Sequence, residues 1–199
     1  MSGLNQLSDM NYTPDALGKA DEGAGWNLVV PAKAQAGRKG GVARWLEFVK
    51  ITDAYRDDEA GKQGQTRLLL TLQYEVIAGG DSDENVERTA SLFLRLNPGF
   101  VNAGRTEALG QGDPKSEKTM HAMAMKKLKQ IMVAAGLSLN QGLTADVLNS
   151  LFPEPSNSIG GALRGTRLAF LMKDNEGRKG PNGENTQEPE NILAAPAGA

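Results

Sequence analysis

Residues 66–96 read TRLLLTLQYEVIAGGDSDENVERTASLFLRL, and the spacing of apolar residues in this stretch decides the fold class. In its first half Leu68, Leu70, Leu72, Tyr74 and Val76 take one parity, and Arg67, Leu69, Thr71, Gln73 and Glu75 take the other. In its second half Ala90, Leu92, Leu94 and Leu96 alternate with Glu87, Thr89, Ser91, Phe93 and Arg95. A period of two marks strands with one face buried and one half wet. Gly79-Gly80-Asp81-Ser82-Asp83 between them is turn chemistry, so the two strands are expected to pair antiparallel.

Working outward, residues 42–52 (VARWLEFVKIT) are also β-rich, but their apolar residues fall on both parities. Leu46 and Phe48 lie on one, and Trp45, Val49 and Ile51 on the other. That pattern reads as a bulged or a two-sided strand, as at a barrel corner. The polar run 53–64 reads as a charged loop, and Asn97-Pro98-Gly99 ends a three-stranded meander. A helix follows, with Asp113-Pro114 or Ser116 at its start. Met120, Ala124, Leu128, Ile131, Met132 and Ala135 form its apolar stripe, and Gly136 stops it. Residues 144–152 (TADVLNSLF) give a second short helix capped by Thr144, and 163–173 return to strand.

Three strands, a helix and then a further strand is the order of an OB-fold, a small Greek-key barrel with its helix between strands 3 and 4. The expected class is therefore mainly β with one or two helices, OB-like, with a weak fifth strand near Asn191-Ile192-Leu193. The expected organisation is a flexible arm over 1–25, a domain over 26–173 and a disordered acidic tail over 174–199. Residues 174–199 are rich in Gly, Pro, Asn and Glu and hold no aromatic residue, too little apolar surface to offset backbone ordering.

The chain has 199 residues, 22 Lys+Arg, 24 Asp+Glu, one His and no Cys. Absence of cysteine excludes disulfides, thiol nucleophiles and thiolate-bound metals. No apolar run approaches a membrane span and no signal-peptide pattern opens the chain, so a soluble, cytoplasmic protein with no membrane partner is expected. The net charge of −2 conceals an asymmetry: residues 1–31 carry −3, 174–199 carry −3 and 32–173 carry +4. The middle of the chain can therefore present a basic face despite the acidic total.

Catalytic chemistry is thinly represented. His121 reads as a boundary side chain on the helix, and there is no G-x-S-x-G elbow for it to serve. Asp57, Asp58, Asp81 and Asp83 sit among loop residues and fit no EF-hand spacing, which leaves a metal-dependent nuclease a distant reading. Gly37-Arg38-Lys39-Gly40-Gly41 lacks the P-loop register and reads as a flexible basic loop able to touch phosphate. No enzyme activity, cofactor or metal is expected.

Binding chemistry is better represented. Single-strand binding without sequence preference needs cations for phosphates and flat side chains for base stacking. On the polar strand faces stand Arg67, Phe93, Arg95 and Arg167. Trp45 is beside Arg44, Tyr55 heads the charged loop, and Arg38 and Lys39 lie in the basic loop. The competing reading is that Phe93 and Trp45 are covered by a loop, a tail or a second subunit, while the arginines pair with Glu75 and Glu87.

Leu94-Arg95-Leu96-Asn97, Ala134-Ala135-Gly136-Leu137 and Leu163-Arg164-Gly165 occupy the places of three short motifs. Over roughly 40–175 the chain resembles a family of phage-encoded single-stranded-DNA-binding OB-fold proteins found among replication and recombination functions. The resemblance implies single-stranded DNA as partner, the host cytoplasm as location, and recruitment of recombination or replication proteins through an acidic C-terminal tail. This tail ends in Ala-Ala-Pro-Ala-Gly-Ala rather than in an acidic-hydrophobic tip, a departure from that pattern. A homo-oligomer is compatible with it. From a different class, a phage assembly or inhibitor module would use Phe93 and Trp45 as an interface.

Overall fold

The structure is a computed structural model that describes residues 37–39, 42–60, 66–79, 87–96, 114–138, 143–156, 161–179 and 185–195. In chain order these residues form β1 (Gly37–Lys39), β2 (Val42–Ala60), β3 (Thr66–Gly79), β4 (Thr89–Leu96), α1 (Pro114–Ala134), α2 (Ala145–Leu151), β5 (Arg167–Lys179) and β6 (Asn185–Ala194). The strands make one antiparallel sheet in the order β4-β3-β2-β5-β6, and β1 pairs with the start of β2. The fold is mainly β, a sheet curled into a half-barrel with two helices.

The meander is present, and its alternation sets which side chains enter the core. Leu68, Leu70, Leu72, Tyr74 and Val76 face inward opposite Leu96, Leu94, Leu92 and Ala90. β2 shows why its apolar residues occupy both parities. Trp45, Val49 and Ile51 face the main core, whereas Leu46 and Phe48 belong to a second apolar cluster with Ala169. Between Ile51 and Asp53 the register slips by one residue at Thr52. A β-bulge of this kind inverts every later side chain, so Ala54 and Arg56 become buried.

Residues 53–60, expected as loop, are therefore strand. They pair with β3 as far as Ala60↔Thr66. Residues 37–39, expected as part of a flexible loop, pair with 42–44. The C-terminal expectation is corrected too. Residues 174–179 continue β5, and 185–194 form β6, whose Ile192 reaches the main core. An edge strand needs only one ladder, so it tolerates Pro189 and a bulge where a central strand would not. The arm over 1–25 lies outside the described residues.

α1 packs against both β4 and β6, the two edges of the curled sheet. It buries Ala124, Leu128, Ile131 and Met132, much of the stripe expected from spacing. Gln130 seals one edge. Its Nε2 donates to Asn191 Oδ1 at 3.0 Å, and its Oε1 accepts the Ile192 N–H at 3.2 Å. The helix ends at Gly136, φ +73°, where Leu137 N–H donates to Met132 O and Gly136 N–H to Val133 O. That pair of bonds is the Schellman arrangement. At α2 the Thr144 hydroxyl accepts the Val147 N–H at 3.2 Å, the cap its sequence announced.

His121 is buried in this packing rather than at its boundary, and burial pushes its pKa from 6.5 down to about 4. The unfolded chain then takes up a proton near pH 6.5 that the folded chain refuses until about pH 4. Stability from this group is unchanged above pH 6.5 and falls through that window, by about 3 kcal/mol in all at 1.36 kcal/mol per unit. Urea midpoints at pH 7 and pH 4.5 should fall further in the native chain than in His121→Gln. Equal falls would remove His121 from the acid response.

Candidate nucleic-acid interface

The outward face of β2, β3 and β4 gathers polar and aromatic side chains into rows set by register. Tyr55, Thr71 and Phe93 stand in one row across the three strands. On one side lies the row Asp57, Leu69, Arg95, and on the other the row Asp53, Gln73, Ser91. Beyond these come Lys50, Glu75 and Thr89, with Arg167 opposite Lys50 on β5.

Phe93 is 53% exposed, an unusual state for a phenyl ring on a sheet. Tyr55 and Arg95 are half-buried, and Thr71, between the two rings, is buried. Neighbouring strands are about 4.8 Å apart, so Tyr55 and Phe93 rise from backbones roughly 10 Å apart. Gln73 Nε2 donates a long hydrogen bond of 3.4 Å to Tyr55 Oη, which leans the phenol along the face. The bulge at Thr52 is what brings Tyr55 to this side.

Lys50 and Arg167 are exposed, and they lie two rungs from the aromatic row, roughly 14 Å along β3. Against Lys50, Arg95 and Arg167 the same face sets Asp53, Asp57 and Glu75. Among the described residues this surface is thus aromatic and polar with balanced charge, rather than a basic stripe. It suits a flat ligand that stacks, with cations at the two ends of its path.

Trp45 is the correction among the expected stacking residues. It is 2% exposed and belongs to the main core. Its indole Nε1 donates to Glu47 Oε1 at 2.9 Å. The carboxylate of Glu47, itself fully buried, also receives Arg88 Nη2 at 2.9 and 3.0 Å. Trp45 shares the parity of Val49 and Ile51, and in this part of β2 that parity points inward. Its indole is spent on an internal hydrogen bond and offers no surface to a base.

Arg44 and Arg67 lie on β2 and β3, and Arg38 and Lys39 on β1, but their side chains lie outside the described ones. Asp81 and Asp83 lie outside the described residues altogether. No group of three His, Asp or Glu able to hold a metal occurs among the described residues. Within the same residues no helix is long and apolar enough to cross a membrane.

Sequence reasoning passed over Lys50, although its alternation with Leu46 and Phe48 assigns it to the outward face. It passed over Glu47 and Arg88 as well. A glutamate within an apolar strand is a signal that a buried cation must come from elsewhere. A scan against protein families, a search of curated proteins and a search of solved structures each found no match.

Proposed function

We propose that the chain is a non-enzymatic, largely sequence-independent single-stranded-DNA-binding protein of OB-like architecture. The strand order supports the architecture: numbered within the barrel alone, β2 to β6 run 3-2-1-4-5, with both helices between the third and fourth strands. In OB-folds oligonucleotides lie on the outer face of strands 2 and 3, here β3 and β4. The observation that carries the reading is the exposed Phe93 ring on that face, in register with Tyr55. Bases stack on Phe93 and Tyr55, while Arg95, Lys50 and Arg167 meet phosphates. The tie to phage replication or recombination rests on the motif resemblance.

Anisotropy of labelled oligo-dT with the full chain tests it. Binding should appear at low salt and weaken as salt rises, because neutralised phosphates release counterions. Phe93→Ala should cost about 1–3 kcal/mol of binding, roughly 5- to 150-fold in Kd, with the urea midpoint unchanged. No binding at low salt overturns the proposal. The balanced charge of the face favours a second reading, in which Phe93 is a contact in a protein assembly. Light scattering showing self-association, with no DNA affinity, would select it.

A further inference from the structure

Three carboxylates, Asp53, Asp57 and Glu75, stand on the outward face of β2 and β3. Stacking and phosphate contact alone call for none there. The three differ in what already occupies them. Asp53 is half-buried, and its Oδ1 accepts the Ala54 N–H at 2.9 Å. Glu75 is half-buried too, opposite Lys50 and two rungs from the Tyr55–Phe93 row. Asp57 is exposed, and on β2 it stands one rung from Tyr55.

The neighbours of Asp57 do not answer its charge. Across the ladder it meets Leu69, a half-buried apolar side chain. Arg95, the cation of that row, is on the second strand over, roughly 10 Å away between backbones. The carboxylate is therefore placed beside an aromatic ring, next to an apolar side chain, on the surface proposed for bases.

Side chains two residues apart on a strand share a face and stand about 7 Å apart. A base stacked on the Tyr55 ring reaches past the ring with its edge, and on one side that edge meets Asp57. On the other side Gln73 is already engaged, its Nε2 donating to Tyr55 Oη at 3.4 Å. An ionised carboxylate accepts hydrogen bonds and donates none. It favours a base edge that carries an amino group and disfavours one that carries a carbonyl in the same place. Cytosine offers its N4 amino group, which carboxylates accept from, where thymine and uracil present O4. Because the acceptor is charged, that bond is about twice as strong as one between neutral groups.

We infer that Asp57 is a specificity-determining residue that biases the base stacked on Tyr55 toward one with an exocyclic amino group, cytosine over thymine or uracil. The inference rests on the DNA-binding reading above and deepens it. The bias is confined to one base position, and the rest of the footprint stays indifferent to sequence.

Anisotropy titrations of the full chain with labelled oligo-dC and oligo-dU of equal length, at neutral pH and low salt, test it. The two oligomers share a backbone and differ only at C4 and N3 of the ring, so phosphate contacts and stacking largely cancel in the ratio of affinities. Oligo-dC should bind about tenfold more tightly, the worth of one hydrogen bond to a charged group. Asp57→Asn keeps the size of the side chain, and its amide can meet either edge. In that variant the ratio should fall to within about twofold of unity, with oligo-dU bound no more weakly than by the native chain, since a repelling charge is gone. Equal affinities in the native chain, or a preference that survives Asp57→Asn, overturn the inference and leave the DNA-binding reading in place. Binding of neither oligomer overturns both.

Discussion

Arg88→Ala is expected to destabilise the fold by about 3–5 kcal/mol, the usual cost of leaving one partner of a buried ion pair alone. Glu47 is fully buried, and its two carboxylate oxygens are held by Arg88 Nη2 and by the Trp45 indole. Removing the guanidinium leaves a carboxylate that is fully buried in the folded chain, with one indole N–H for company. The same charge helps push the Tyr74 hydroxyl up to about 12, behind the larger effect of that residue's own burial. The contribution is one of dependence rather than of net strength, because Glu47→Gln with Arg88→Met removes both charges and still leaves an acceptor for Trp45. That double variant should recover most of the loss. Urea unfolding of the native chain, Arg88→Ala and the double variant gives all three values. A loss under about 1 kcal/mol for Arg88→Ala would mean that Glu47 finds water or another cation.

The same network shows where the sequence is legible and where it is not. Alternation from Leu68 to Val76 and from Ala90 to Leu96 survives into the sheet because over those residues the apolar side chains enter the main core from one face. Phe93 and Arg95 emerge on the outward side for the same reason. β2 buries both faces, so parity loses its meaning there, and the slip at Thr52 then reverses it. Tyr55 could not be assigned a face without that slip. Arg56 looked like a loop residue, yet it enters the fold because Asn149 and Glu154, 93 and 98 positions away, receive its guanidinium at 3.2 and 3.5 Å. Contacts of that range leave no local trace. β6 was faint because an edge strand needs few apolar residues: Ile192 supplies core contact, and Gln130 from α1 answers its N–H. A composition rich in Gly, Pro, Asn and Glu and without aromatic residues marks 174–199 as a tail, but over 174–179 and 185–194 the β5–β6 ladder outweighs composition.

Gly79→Ala is expected to cost about 3 kcal/mol or more, against about 1–2 kcal/mol for Gly165→Ala. Both glycines have positive φ, +78° and +83°, so both variants carry the strain of a left-handed backbone. Only at Gly79 is the space taken as well. A Cβ there would overlap the carbonyl oxygen of Leu46, backbone against backbone, whereas nothing lies within 4 Å of one at Gly165. Relief would have to move β2 at Leu46 and Glu47, where Gly79 pairs with Glu47 and the buried carboxylate is positioned. The clash therefore spreads into the Trp45–Glu47–Arg88 network, and its cost is not purely local. Urea midpoints of the two variants measured side by side isolate the steric part, since the conformational part is common to both. Equal losses would show that the end of β3 at Gly79 can yield without disturbing β2, and that close approach is not why glycine stands there.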